Sequence, residues 1–202
     1  MATIIGITGS LCSGKSSVAS MFARLGAKIV DADKIAHQLI EKHGVCFKRV
    51  IDAFGKDILN AQGIDRTKLA NIVFKDKNKL KQLEDIIHPA VIKEIKKEIK
   101  NFKKTKDGKS VLALDVPLLF EAGLGRLTDF NIVVKASYED RIKRAVCKLG
   151  ISRADAVRRI KAQMPLRAKL PLADFVIDNN RSKQDTFSQV KIIWDEIHNK
   201  LC

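Results

Sequence analysis

Apolar residues along this chain recur at two periods, and their alternation sketches an α/β protein. Ile4–Thr8 is a short β-branched run that stops at Gly9 and predicts a buried strand. Val18, Met21, Phe22 and Leu25 then share one helical face over 13–25, with Gly26 as the stop. Lys28–Val30 predicts a second strand, ending in Asp31-Ala32-Asp33. From Lys34 to Lys104 the period turns helical throughout. Ile35, Leu39 and Ile40 form one series, Val50, Ile51 and Phe54 a second that Gly55 ends, and Leu69, Ile72 and Val73 a third. Leu80, Leu83, Ile86 and Ile87 begin a fourth. It is expected to break or kink at His88-Pro89, because proline has no backbone N–H to donate, and to resume with Val91, Ile92, Ile95, Ile99 and Phe102.

Lys106-Asp107-Gly108 predicts a turn, after which Val111–Leu114 and Phe130–Val134 read as strands three and four. Ser137 with Asp140, and Ser152 with Asp155, have the spacing of capping boxes that open two short helices, the second ending before Pro165. Phe175–Ile177 is a fifth strand. Ser182 with Asp185 opens a last helix whose buried face is Phe187, Val190, Ile193, Trp194 and Ile197. The order predicts a parallel five-stranded sheet flanked by helices, interrupted by a helical segment and a pair of capped helices. Right-handed crossovers then bring the strand C-termini, and with them Gly9, Asp31, Asp33 and Asp115, to one edge.

One stretch on that edge carries defined chemistry. Gly9-Ser10-Leu11-Cys12-Ser13-Gly14-Lys15-Ser16 matches G-x-x-x-x-G-K-[ST] between a predicted strand and a predicted helix. The two glycines let the backbone turn tightly, so that its N–H groups and the helix N-terminus form a nest for phosphate oxygens. Gly9, Cys12, Ser13, Gly14, Lys15, Ser16 and Ser17 are therefore the expected ATP-binding set. Lys15 is placed to reach the β- and γ-phosphates and Ser16 to ligate Mg²⁺, with Cys12 a small filler at a free position of the motif. The fold class is thus a P-loop NTPase-type α/β fold. The guanine motif N-K-x-D of a GTPase and the L-S-G-G-Q signature of a transport ATPase are both absent. A compact kinase acting on a small acceptor remains.

The other expected parts follow from phosphoryl transfer, which needs cations on the developing charge and often a base on the acceptor hydroxyl. Asp33 stands just past strand two as a general base or, equally, as a helix N-cap. Asp115 stands past strand three, either supporting the water shell of Mg²⁺ or capping the strand. Arg141, Arg144, Lys148, Arg153, Arg158, Arg159, Arg167 and Lys169 crowd the region before strand five. Most must be solvated. One or two are expected to close on phosphate as part of a lid.

Composition changes the picture little. The chain has 202 residues, enough for one α/β domain with insertions, and four scattered cysteines without metal-site spacing. No apolar run has the ~18 residues of a membrane span, and the N-terminus has no basic region before a long apolar stretch, so a cytoplasmic protein is expected. The net charge of +15 raises the question of nucleic acid. Eight lysines between Lys93 and Lys109, however, surround Ile95, Ile99 and Phe102 at helical spacing, as on a solvated helix face. With one Tyr and one Trp, no stacking platform is evident, so no nucleic-acid or membrane partner is expected.

Several segments together resemble the dephospho-CoA kinase family, the last enzymes of coenzyme A biosynthesis. They are Ile7-Thr8-Gly9 through Lys15-Ser16-Ser17; Asp31-Ala32-Asp33 with Ala36-His37; and Asp65-Arg66 with Leu69-Ala70 and Val73-Phe74. Further on come Leu83-Glu84 with Ile87-His88-Pro89, Val116-Pro117-Leu118-Leu119-Phe120-Glu121, Arg159-Ile160 with Gln163, and Ala173 through Asn179. The resemblance implies transfer of the ATP γ-phosphate to the ribose 3′-hydroxyl of dephospho-CoA with Mg²⁺ as cofactor; the sequence does not give the oligomeric state, for which a monomer is favoured. It implies Asp33 as general base, Lys15 and Arg144 as catalytic cations, and Asn179 beside adenine. Asp33, Arg66, His88, Leu118, Leu119 and Phe120 become the acceptor-binding residues, although His88 reads equally as a core histidine. The implied organisation is a nucleotide-binding core of residues 1–32, 106–136 and 171–202, an acceptor segment 33–105 and a lid 137–170. The chain departs from the family pattern at Arg141, where Gln is usual, at Lys148, where Arg is usual, and at Arg181, where Gly is frequent. Another small P-loop kinase with a nucleoside, nucleotide or alcohol acceptor is the alternative. An ATPase acting on nucleic acid is a more distant one.

Overall fold

In the computed structural model, which describes residues 2–104 and 110–199, five parallel strands form a sheet in the order β2-β5-β1-β6-β7. These are β1 (Thr3–Gly9), β2 (Lys28–Asp31), β5 (Val111–Asp115), β6 (Phe130–Lys135) and β7 (Phe175–Asp178). All five occur where the apolar runs predicted them. From β1 the chain goes to the edge strand β2, returns to fill the gap between them with β5, then crosses to β6 and β7 on the other side of β1. The C-terminal end of β1 is therefore the point where the winding reverses, and this is where open α/β sheets bind ligands.

Burial on both faces explains the strand composition. Every residue of β1 is buried, and Ile4, Ile5 and Ile7 are wholly so. Helix α1 (Lys15–Arg24) sets Val18, Ala19, Met21 and Phe22 into the sheet and ends at Gly26, whose φ of 112° suits glycine. Helix α9 (Lys183–Asn199) covers the same face with Val190, Ile193 and Ile197, and its Trp194 ring lies 6.3 Å from that of Phe22. Burying a side chain of the size of Phe22 contributes about 1.5–3 kcal/mol. Gly6 serves a close approach within the sheet, since a Cβ there would stand 2.7 Å from Leu119 Cδ2.

Helices α6 (Tyr138–Leu149), α7 (Arg153–Lys161) and α8 (Leu166–Lys169) lie between β6 and β7. The predicted capping serines are in place: Ser137 Oγ accepts from the Asp140 N–H and Ser152 Oγ from the Asp155 N–H, both at 3.1 Å, and Ser182 Oγ does the same for Asp185 at the start of α9. All these elements belong to one compact unit, residues 1–31 with 98–202.

Residues 32–97 form a second unit. It holds α2 (Ala32–Ile40), α3 (Phe47–Phe54), the strands β3 (Leu59–Asn60) and β4 (Gly63–Ile64), α4 (Arg66–Val73) and most of α5 (Lys77–Lys104). Two features differ from expectation. Helix α5 runs through Pro89 without a break. Its apolar stripe, Ile86, Ile87, Val91 and Ile95, is buried on both sides of the proline, and that packing offsets the roughly 3 kcal/mol that an interior proline costs a helix. The antiparallel β3–β4 pair has no counterpart in the predicted elements, because strands of two residues are too short to show a period. Its turn is held by Asn60 Oδ1, which accepts from the Gln62 N–H at 2.9 Å. The turn predicted at Lys106–Gly108 lies outside the described residues.

Candidate active site

The glycine-rich loop runs from the end of β1 to the first turn of α1. Its shape comes from backbone torsions that few residues adopt. Gly14 has φ 95° and ψ 15°, and Cys12 is the one described non-glycine residue with positive φ, at 55°. A tight turn closes where the Ser13 N–H donates to the Ser10 carbonyl at 3.1 Å. Gly14 is sterically required as well, because a Cβ there would fall on the side-chain amide of Asn179. That amide braces the loop. Asn179 Nδ2 donates to the Ser13 carbonyl at 2.8 Å, and its Oδ1 lies 3.0 Å from the Thr186 hydroxyl. Both ends of the side chain are therefore engaged within the protein. Asn179, expected beside adenine, thus also holds the loop.

Lys15 and Ser16 open α1, with Ser17 behind them. Lys15 is buried and its Nζ contacts Asp115 Oδ1 at the end of β5. Asp115 is itself buried, so each charge compensates the other where water is excluded. Ser16 is exposed, its hydroxyl free to meet a ligand at a helix N-terminus. No cluster of three or more His, Cys, Asp or Glu side chains suited to a metal occurs among the described residues. A hard cation bridged to phosphates needs no such cage: one hydroxyl, phosphate oxygens and water suffice.

Helices α6 and α7 pack directly on this loop. Ile142, Ala145, Ala156 and Ile160 form a small apolar cluster against which Leu11 and Cys12 rest. Polar contacts add to it. Arg141 Nη1 donates to Ser10 Oγ at 2.5 Å, and the Leu11 N–H donates to Gln163 Oε1 at 2.8 Å. Arg141 is buried, with Nε unpartnered and its guanidinium 5.5 Å from the Tyr138 ring centroid, and burial holds its pKa below the ordinary arginine value. Arg144 is half-buried and donates from Nη2 to the Asn179 carbonyl at 3.1 Å. Burial pushes the Cys12 thiol upward in pKa, while Lys148, Arg144 and Arg159 act against that shift. Three cations thus project their field onto the loop.

The other expected site residues sit as follows. Leu118, Leu119 and Phe120 lie in the turn after β5. Leu119 is fully buried against Gly6 and belongs to the core, whereas Leu118 and Phe120 keep partial exposure. In the second unit, Asp33 is exposed in the first turn of α2, inside the helix and past its N-cap position. Arg66 is exposed at the start of α4, where Asp65 Oδ1 caps the helix by accepting from the Thr67 and Lys68 N–H groups. Arg66 Nη1 lies 2.9 Å from His37 Nδ1, so His37 accepts through a neutral ring. His88 is half-exposed in the middle of α5, not enclosed in the core.

The structure therefore brings Lys15, Ser16, Asp115, Arg144 and Asn179 to one sheet edge around the loop. Asp33, Arg66 and His88 stand on three separate helices of the second unit. Sequence reasoning missed the contacts of Arg141 and Gln163 with the loop, for which the only signal was their position near the capped helices. It also placed Lys169 in a group of eight basic residues, most of them expected to be solvated. Lys169 is in fact completely buried, with Nζ on the Pro117 carbonyl at 2.8 Å and on Glu121 Oε1 at 2.9 Å.

A family profile for dephospho-CoA kinase matches residues 3–185. The chain is 46% identical over 191 residues to a dephospho-CoA kinase of Carboxydothermus hydrogenoformans, covering 94% of this chain and 92% of that protein. It is 45% identical over 194 residues to one of Aquifex aeolicus, covering 96% of each. The structure of a dephospho-CoA kinase from Campylobacter jejuni superposes with a TM-score of 0.72 at 29% identity, covering the whole of both chains.

Proposed function

The chain belongs to the dephospho-CoA kinase family, and we propose that its glycine-rich loop holds the ATP phosphates while Asp33 receives the proton of the acceptor's 3′-hydroxyl. The protein is an ATP-dependent phosphotransferase. It passes the γ-phosphoryl group to the ribose of dephospho-CoA, giving CoA and ADP, the last step of coenzyme A biosynthesis.

The observation that carries the residue assignment is the braced loop: Gly14 in a left-handed conformation, α1 starting behind it, and Lys15 held at the strand end by Asp115. Backbone N–H groups of Cys12 through Ser17 would meet the phosphates, and their position is fixed before ligand arrives because Asn179 and Gln163 hold the loop from two sides. Lys15 would exchange part of its contact with Asp115 for phosphate oxygens. Mg²⁺ would be held by Ser16 Oγ together with those oxygens, with Asp115 behind it, and would supply charge neutralisation at the β- and γ-phosphates.

Helices α6–α8, residues 137–170, act as the lid in this reading. Arg144 is its phosphate cation: it donates to the Asn179 backbone carbonyl, a partner that a phosphate displaces readily. Residues 33–105 form the acceptor segment, where Arg66 and His88 bind the anionic and polar parts of dephospho-CoA. Leu118 and Phe120 are read as apolar acceptor-binding residues, with Leu119 packed beneath them. Asp33 is exposed in the first turn of α2, within reach of an acceptor hydroxyl brought to that face. The protein works as a cytoplasmic monomer without nucleic acid. No described helix is long and apolar enough to cross a membrane.

The test is ADP release measured across acceptors. Dephospho-CoA is expected to turn over at micromolar concentration, and adenosine, deoxynucleosides and shikimate are not. Comparable turnover of a nucleoside would transfer the protein to another acceptor class.

A further inference from the structure

The turn that carries Leu118 and Phe120 is pinned at both ends by one buried ammonium group. Lys169, at the end of α8, has no solvent exposure. Its Nζ donates to the Pro117 carbonyl at 2.8 Å, at the start of the turn, and to the Glu121 carboxylate at 2.9 and 3.2 Å, at its end. Each anchor is tied to a second element. The Pro117 carbonyl also accepts from the Thr8 hydroxyl of β1 at 3.0 Å, one residue before the glycine-rich loop begins. Glu121 Oε1 also accepts from the Met164 N–H at 3.0 Å. Gln163, the neighbour of Met164, holds the Leu11 N–H of the loop. The stretch 163–169 therefore grips the nucleotide loop with its first residue and the 117–121 turn with its second and last.

An apolar side chain of similar volume would fill the Lys169 site with less desolvation, so stability alone does not account for a buried ion pair here. Burial lowers the pKa of Lys169, the hydrogen bond and charge of Glu121 oppose that, and the nearby Lys15 charge adds to the lowering. What the pair supplies is direction. Leu119 is locked into the core against Gly6, and the flanking Leu118 and Phe120 can present a fixed surface only if the residues on either side of them are fixed too.

We propose that Lys169 and Glu121 are positioning residues for the acceptor: together they set the Leu118–Phe120 turn relative to the nucleotide loop, so that productive placement of dephospho-CoA, and not ATP binding, depends on their ion pair. This rests on the reading of Leu118 and Phe120 as the acceptor wall. The test compares Lys169→Met, Glu121→Gln, the double variant and Phe120→Ala in the full-length enzyme, well below each variant's melting temperature. Kinetics are measured with dephospho-CoA and ATP varied separately, and the Kd of a non-hydrolysable ATP analogue is measured by calorimetry.

Lys169→Met and Glu121→Gln are each expected to lower kcat/KM for dephospho-CoA by about 10–100-fold, the scale of an ångström-sized misplacement, with the analogue Kd within about twofold of wild type. The double variant is expected to match the single ones, because they remove the same joint. Glu121→Gln keeps shape and reaches solvent, so it carries the test if Lys169→Met does not fold. Unchanged dephospho-CoA kinetics in a folded variant, or equal weakening towards both substrates, overturns the proposal while a raised KM in Phe120→Ala leaves the wall standing. Phe120→Ala with an unaltered KM removes the wall and the proposal with it.

Discussion

The glycine-rich loop and the proposed acceptor segment of this enzyme are built by different means. At the glycine-rich loop the working groups are backbone N–H donors, and side chains such as Asn179 and Gln163 serve to hold the backbone still. In the residues 32–97 unit the reverse holds: Asp33, Arg66 and His88 are partly or fully exposed side chains standing on separate helices. A triphosphate is the same in every kinase and can be met by a fixed strand-loop-helix geometry. An acceptor is particular, and side chains distributed over several elements can be exchanged one at a time.

That contrast can be tested from both ends. The largest effect is expected from Asp33→Asn, which keeps the helix and removes the base: kcat should fall by about 10²–10⁴-fold with the Kd of an ATP analogue unchanged. Near-normal turnover would assign proton removal elsewhere. Arg66→Ala comes next. Loss of a charged hydrogen-bond donor should cost roughly 10–100-fold in kcat/KM for dephospho-CoA, with the KM for ATP unaltered. If ATP binding weakened equally, the division of labour would fail. Asn179→Ala should act in the opposite sense, because it withdraws the brace from the Ser13 carbonyl. ATP-analogue affinity should drop by about 5–10-fold, and calorimetry would show whether acceptor affinity is spared.

The smallest effect concerns the lid caps. The hydrogen bond from the Ser152 hydroxyl, and then Arg158, hold the Asp155 carboxyl below its ordinary pKa. A lowered folded-state value means that the cap's contribution is complete above about pH 4 and fades as pH falls through the lower value. Between pH 4 and pH 2, wild-type Tm should fall slightly more steeply than that of Ser152→Ala. Parallel curves would show that the Ser152 hydroxyl's bond to the Asp155 carboxylate adds no pH-dependent stability.

How far the sequence could be read follows the same division. All five sheet strands were legible, because each is a short β-branched run buried in a parallel sheet. The loop was legible because its torsions force glycine at 14 and its chemistry forces lysine at 15. Serine with aspartate three residues on marked the starts of three helices. The acceptor segment resisted. Only resemblance singled out Arg66 and His88, since an exposed arginine at a helix start and a histidine before a proline have ordinary structural uses. Pro89 suggested a boundary that tertiary packing overrides, and the β3–β4 pair was too short to have a period. Lys169 was misjudged for a different reason. Nothing local distinguishes a lysine that will be enclosed by Pro117 and Glu121, some fifty residues earlier in the chain, from one that faces water.

The hydrogen bond between Asn179 and Ser13 spans 166 positions of sequence. During synthesis the phosphate motif therefore emerges well before the residue that steadies it. A nascent chain thus carries the motif without the brace, and such long-range closure is slow to form. ATP should therefore protect only the finished polypeptide against proteolysis, and ribosome-bound fragments ending before residue 179 should gain little from it.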